Sequence, residues 1–455
     1  MLLAMLASPV FGQADPFAAA PKSGPSIYDD QQKFVRNADA PGSLDASMFG
    51  DRISLYNGAL EFVQTDVDLK GNNDLPVRIG RRRVIDGGGG SYEDAGFGGW
   101  DYDIPHLHGV FSDIHGWRTH GGGLNRCSGF GPPPDATPPA DPTAVFAAQE
   151  FWRGSYLYLP GQGDEEILHR HSANLPPEQA HAYPLTTRGG AMIRCITING
   201  GPEEGFVVLT PDGVSYQFDR VVQRRLDPIS KPSPVPDPNI QDPDPPQPLV
   251  ASETYWLGRV EVWILPTVVT DRHGNEVTYN WKQQTTGAER WKLDSITSSD
   301  GRSITFGYTG NAVSSVTAGN RTWQYGVVDG QYVVTLPDNS QWKYDIADLV
   351  ARQSLTIPDY ESTCDAPGIL QGVTKSGTII HPSGAKGTFK VRSTIHGRTW
   401  VDRMCSGGVP GEPLRGTYPV HAREYAVLSI AEKTIEGPGI PGSGYKWTYE
   451  YDPAE

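Results

Sequence analysis

The histidines are the residues of this chain whose spacing comes nearest to chemistry. Seven of the 11 fall between residues 106 and 181: His106, His108, His115, His120, His169, His171 and His181. His106-x-His108 and His169-x-His171 each put two imidazoles on one side of a strand, a workable start for a metal site. No carboxylate or cysteine follows at a recognised ligand spacing. Decoration of an aromatic-rich surface is therefore the stronger reading, and no metal is expected. Asp66-x-Asp68 before Gly71 opens like a calcium loop but fails, because Lys70 and Val77 stand where ligands are needed. Glu165-Glu166 and Glu203-Glu204 are adjacent carboxylates, and in turns such pairs are solvated faces. A glycosidase needs two carboxylates converging across about 5–10 Å of cleft, which adjacency does not supply. Gly-x-Ser-x-Gly, His-Glu-x-x-His, Walker and dinucleotide-binding motifs are absent. The expectation is a chain without catalysis and without a cofactor. Trp100, Trp117, Trp152 and Trp256 could stack sugar rings, although core packing is the commoner use of a large aromatic.

Four cysteines remain, Cys127, Cys195, Cys364 and Cys405, at spacings of 68, 169 and 41. None forms a Cys-x-x-Cys, which argues against zinc and redox motifs. In an exported chain an even number suggests two disulfides. Proximity favours Cys127–Cys195 and Cys364–Cys405, with three connectivities open; in a cytosolic chain all four would be free thiols. The first 14 residues have an apolar core and small residues at Gly12 and Ala14, as before a signal-peptidase cut, but lack the usual basic lead. On that reading the protein is exported, to the periplasm, the cell surface or the medium. No later stretch is apolar over 18 residues, so no membrane span is expected. The net charge of −15 argues against nucleic acid, because phosphate binding needs a basic face. The short run Arg81-Arg82-Arg83 reads as solvated or carboxylate-paired arginines in a strand.

What must position these residues is β-structure. The 53 glycines and 39 prolines among 455 residues favour turns and short strands over long helices. Helical period is confined to short pieces near residues 29–34 and 346–352. Residues 15–50 are a polar lead segment. Strand patterns begin at Ile53, with Asn57-Gly58 as a hairpin turn, and continue through a β-rich module over residues 51–226. Residues 227–250 hold nine prolines in 24 positions, which predicts an extended linker or large loop without ladder strands. Residues 251–455 then repeat one phrase: an aliphatic-Thr strand end, a Gly or Asn turn, and an alternating strand closing on an aromatic. Its turns centre on Gly274, Gly301, Asn320 and Asn339, spaced 27, 19 and 19 residues, with Gly213 before them and Gly384 after. A period near 20 outside a helical pattern predicts a repetitive β architecture. One hairpin cannot bury its apolar face alone, so hairpins must stack. The fold class expected is all-β, a β-hairpin array with few short helices.

Asp300-Gly301-Arg302, Tyr344-Asp345 and Tyr451-Asp452 make these phrases resemble the YD repeats of the Rhs family. Upstream, Tyr56-Asn57-Gly58, then Asp66 to Gly71, Leu75-Pro76 and Arg81-Arg82, is similar in order to the module that opens the β shell of Rhs proteins. The two resemblances cover about half of the chain. They imply a β-sheet spiral that winds into a hollow cocoon around a C-terminal toxin or effector, with encapsulation rather than catalysis as the mechanism. The partner implied is that effector domain, or a downstream repeat polypeptide. The sequence departs from the family in lacking a hypervariable toxin, a self-cleaving junction motif and enough repeats for a closed shell. The chain ends three residues after the second half of its last Tyr-Asp pair, which suggests the front part of a longer repeat protein or a frameshifted stop. The alternative is a secreted module that binds carbohydrate or a cell surface. A secreted hydrolase ranks last for want of a motif.

Overall fold

The computed structural model describes residues 48–54, 57–85, 96–119, 122–140, 142, 145–170, 183–232, 254–283, 291–351, 373–397, 424–442 and 444–451. The signal segment 1–14, nearly all of the lead segment with its short helix, Cys364 and Cys405 lie outside the described residues. So do His120, His171, His181 and Asp452.

Alternating apolar residues and Gly or Asn turns produce three β assemblies. The first is a four-stranded antiparallel sheet of β1 (Asp51–Ile53), β2 (Leu60–Leu69), β3 (Val77–Ile85) and β4 (Asp101–Tyr102). The second is built from β5 (His106–Ser112), β6 (Ser155–Leu159), β7 (Gly163–His169), β8 (Leu185–Thr187), β9 (Met192–Thr197), β10 (Glu204–Leu209), β11 (Ser215–Pro232) and β12 (Thr254–Thr270). Each pairs with the next, and β12 returns to β5 from Arg259↔Ser112 to Ile264↔Leu107, which closes an eight-stranded barrel. Leu107, Phe111, Leu157, Ile193, Phe206 and Val262 share its buried interior. A one-turn helix, α1 (Ala148–Phe151), lies between β5 and β6.

The third assembly starts on the far half of β12. Val268 to Thr270 pair with β13 (Glu276–Gln283), and the ladder proceeds hairpin by hairpin. It runs through β14 (Trp291–Ser298), β15 (Ser303–Thr309), β16 (Ala312–Ala318), β17 (Arg321–Val328), β18 (Gln331–Thr335) and β19 (Gln341–Asp345). It ends with β20 (Thr374–Ile380), β21 (Lys386–Gly397), β22 (Glu424–Glu436) and β23 (Tyr445–Thr448). The expected short helix near residue 346 is α2 (Ala347–Val350). The all-β expectation is met, and a barrel precedes the array of hairpins. Among the described residues no helix is long and apolar enough to cross a membrane.

The two faces of the meander differ. Phe306, Tyr325 and Tyr344 point one way, and they pack on Tyr102, Phe97 and Trp100 respectively, with ring centroids at 6.3, 4.7 and 4.9 Å. The four-stranded sheet and the β4 approach thus cover this face. On the other face Ser295, Thr305, Thr317 and Thr322 stand in cross-strand register, an uncharged row of hydroxyls.

The proline-rich segment departs from expectation over residues 227–232, while residues 233–250 lie outside the described residues. Asp227 does not open a loop: β11 runs on to Pro232 and pairs with Thr254 to Leu257 of β12. Pro228 falls at a register shift between Leu226 and Ile229, and Pro232 ends the ladder. A missing N–H is tolerated at an irregularity and at a strand end. β12, from the segment read as the start of the array, supplies the strand that closes the barrel.

Candidate functional site

The turn residues come first, because they aim the side chains that join the assemblies. Gly213, Gly274, Gly301, Asn339 and Gly384 all have positive φ, from 67° to 88°. At the fourth turn of the six the left-handed residue is Gly319 (φ 61°) rather than Asn320, whose place is second in the two-residue loop. Glycine in the first loop position matches the twist of a hairpin. Beside Gly301, Arg302 leaves its own turn and reaches the β2–β3 loop. It donates from Nη1 to Leu69 O at 2.9 Å and Leu75 O at 3.1 Å, and from Nη2 to Asn73 Oδ1 at 2.7 Å. Tyr344 accepts from Arg81 Nη2 at 3.1 Å. Tyr451 donates to Ile430 O at 2.9 Å, and a Cβ at Gly58 would meet its ring at 2.4 Å. Residues that carry the YD-repeat resemblance therefore meet residues that carry the upstream one.

Arg81 is the centre of this contact. It is wholly buried, donates to Asp66 at 2.6 and 3.0 Å, and lies under the rings of Trp100 and Tyr344 at 5.0 and 5.1 Å. Arg82 pairs with Glu61 at 2.6 Å. Arg81 and Arg82 are thus carboxylate-paired strand residues, and Asp66 serves an arginine, not a calcium ion.

His108 projects from the outer face of the barrel between two carboxylates. Its Nε2 is 3.0 Å from Asp164 and its Nδ1 3.3 Å from Glu261. Burial opposes the imidazolium, but hydrogen bonds to both carboxylates outweigh it and push the pKa up to about 9. The same bonds hold Asp164 and Glu261 below the usual carboxylate range against burial. His106 stacks on Trp263 at 3.8 Å, its Nδ1 bonds Ile104 O, and burial drives its pKa down. The His106–His108 pair is one neutral stacked ring beside one charged clamp. His169 bonds Phe130 O at 2.8 Å. Among the described residues no cluster is arranged to hold a metal.

At one end of the barrel lies a cavity of about 570 Å³. Trp117, Val221 and Val260 continue the barrel core into it, and Gln223 and Arg225 line it from β11. The segment that crosses this end is tied down at Cys127 and Ser128. Glu204 Oε2 accepts from the Cys127 N–H at 3.1 Å and the Ser128 N–H at 2.7 Å, and Oε1 accepts from the Ser128 hydroxyl at 2.8 Å. The Sγ atoms of Cys127 and Cys195 lie 2.07 Å apart. Next to this anchor, Arg126 is 4% exposed at the cavity wall. Its Nη2 is 3.6 Å from Glu203, while Nε and Nη1 have no hydrogen-bond partner. Burial lowers its pKa despite Glu203.

No family model and no curated protein matches the chain. Solved structures do. The crystal structure of TcdB2-TccC3-Cdc42 matches at 9% identity and a TM-score of 0.32, over 74% of this chain and 18% of that one. That of TcdB2-TccC3-TEV matches at 10% and 0.31, over 78% and 19%. The N-terminal domain of the effector protein SpvB from Salmonella typhimurium strain LT2 matches at 7% and 0.23, over 85% and 98%. The chain spans less than a fifth of the length of the TcdB2-TccC3 chains.

The aromatic candidates separate. Trp100 and Trp117 are core residues, Trp152 is partly buried against the core, and Trp256 is 46% exposed. The solvated-turn reading of the glutamate pairs holds only in part: Glu166 is exposed and the Glu203 side chain 44% exposed, whereas Glu165 and Glu204 are engaged. Glu165 and Glu166 lie within β7, where Glu165 accepts from the Gly189 N–H at 3.2 Å. Glu203 and Glu204 serve Arg126 and the Cys127 anchor. Arg126 escaped sequence reasoning because a lone arginine beside a cysteine carries no pattern. The Glu pair opposite it was visible, but not what it faced.

Proposed function

We propose that this chain is a structural segment of a β shell in the manner of the Rhs family, which encloses or presents an effector polypeptide and carries out no catalysis itself. The observation that carries the reading is the clasp between the two resemblance regions. Arg302 and Tyr344 of the hairpin array bind the β2–β3 loop and Arg81 of the N-terminal sheet. This makes the N-terminal sheet a lining of the array rather than a separate domain. The ladder from β12 to β23 has the form expected of a wall built by adding hairpins. Export is part of the proposal, and the proximity of Cys127 to Cys195 supports it.

The test uses the native locus, with an epitope tag placed in the exposed Asp329–Gly330 turn between β17 and β18. Affinity purification followed by protease challenge should recover the tagged chain with a further polypeptide, fused or tightly bound, that becomes cleavable only after denaturation. A tagged chain that purifies alone, with nothing protected, would overturn the shell reading. Surface binding would then lead, and retention of that isolated chain on a glycan array would support it.

A further inference from the structure

We propose that the cavity at the barrel end binds an acidic saccharide, a sugar ring bearing one carboxylate, with the carboxylate paired to Arg126. This goes beyond the shell reading and does not depend on it. Four things about the cavity point to this ligand.

Its volume of about 570 Å³ falls within the range of small-ligand sites, roughly 300–1,000 Å³, and the mouth of a barrel is a usual place for one. Arg126 is a buried guanidinium with Glu203 at 3.6 Å, Glu204 further off, and two nitrogens without partners. A buried cation left short of hydrogen bonds is costly, and an entering anion relieves it. The depressed pKa of Arg126 has the same origin and is reversed by the same event. Among the lining residues four arginines face three carboxylates, an excess of one positive charge, which suits a monoanion better than a phosphate dianion. Finally, the remaining polar lining is the imidazole of His115 and the amides of Asn199, Gln223 and Gln283, and Trp291 contributes a ring whose one face carries the Arg220 guanidinium at 5.1 Å. Amides that donate and accept match sugar hydroxyls, and an indole face suits the apolar face of a sugar ring.

Trp117, Val221 and Val260 close the inner side, so the ligand enters only as far as the core permits. The Glu204 and Cys127 anchor holds the segment that carries Arg126 across the barrel end, which fixes the guanidinium before a ligand arrives.

The experiment is calorimetric titration of the full chain, purified without reductant, with glucuronate, glucose, acetate and sulfate, and with a glucuronate-terminated disaccharide as a second arm. Glucuronate should bind and raise the melting temperature, with glucose and acetate at least about tenfold weaker, each lacking one of the two kinds of contact. The disaccharide arm separates a free sugar acid from the end of a glycan as the natural source. Arg126→Met removes the charge but keeps an apolar stem, and should abolish glucuronate binding while the circular dichroism stays that of the parent. Should that variant fail to fold, the Asn199→Ala/Gln283→Ala pair should weaken glucuronate severalfold and leave acetate unchanged. The proposal is overturned if the parent chain does not bind glucuronate at millimolar concentration, or if Arg126→Met binds it as the parent does. Equal binding of acetate, sulfate and glucuronate, or an unaltered affinity in the amide pair, overturns it as well.

Discussion

Arg81 and Tyr344 are 263 residues apart in sequence, and Nη2 of the first donates to the hydroxyl of the second at 3.1 Å. With Asp66 on its other side, the guanidinium is an ion pair inside an aromatic box. A buried pair of this kind adds little net stability when intact, but breaking it by removing one partner strands the other charge. Arg81→Ala should therefore lower unfolding stability by roughly 3–5 kcal/mol. Tyr344→Phe, which deletes only the hydroxyl, should cost about 1 kcal/mol. The double change Arg81→Met with Asp66→Leu should be milder than Arg81→Ala. Urea denaturation of the three variants checks the ranking, and a double variant as damaged as Arg81→Ala would contradict it.

Arg302 offers a more local test. Its three hydrogen bonds to the β2–β3 loop come from a side chain only 10% exposed. Arg302→Ala leaves the Leu69 and Leu75 carbonyls without that donor and should cost about 2 kcal/mol. Hydrogen exchange should accelerate first in residues 69–77 and in the Ser298–Ser303 turn, with the barrel unaffected. Uniform acceleration across the chain would mean that the contact is not a local clasp.

His108 gives the chain a pH dependence of stability. Its pKa rises on folding from 6.5 to about 9, so the folded state holds the proton more tightly than the unfolded one. The stabilisation is complete below about pH 6.5, declines above it, and is gone once the pH has passed through 9. Allowing for solvent screening at the partly exposed Asp164, about 2 kcal/mol should be lost across that window. Denaturation midpoints at pH 6, 7.5 and 9.5 should fall in that order, and His108→Gln should flatten the trend. An unchanged slope in the variant would place the dependence elsewhere.

Cross-linking Cys127 to Cys195 closes a loop with a separation of 68 residues. The chain-entropy model gives such a loop roughly 4 kcal/mol of stabilisation. Reduction, or the Cys127→Ser/Cys195→Ser pair, should lower the melting temperature and expose residues 113–130 to protease before the meander. Thiol titration of the unfolded chain with and without reductant shows directly whether the bond is present.

Legibility followed locality. The meander could be read from the sequence because each hairpin carries its own turn residue and its own alternation, as in Ile296 to Phe306 about Gly301. The barrel could not. Its closure pairs His108 with Trp263 and Phe111 with Val260 across some 150 residues, and no nearby residue announces that partner. The proline count misled over residues 227–232 for a related reason. Proline excludes a ladder only where its N–H is required, and the register shift after Leu226 removes that requirement. Of the cavity, His115, Trp117 and Glu203-Glu204 stood out in the sequence, and none of them said anything about the arginine they surround.

The two partners of β12 also bear on how the protein would resist force. A meander pulled from its last strand opens like a zipper, one hairpin after another, with few bonds loaded at a time. That peeling reaches β12 and meets a different arrangement, since Arg259 to Ile264 are bonded to β5 on one side and to β11 on the other. To go further, both ladders must yield together. β12 is thus a mechanical stop, and a molecule stretched from its C-terminal side should release length in small steps down to β13 and then hold.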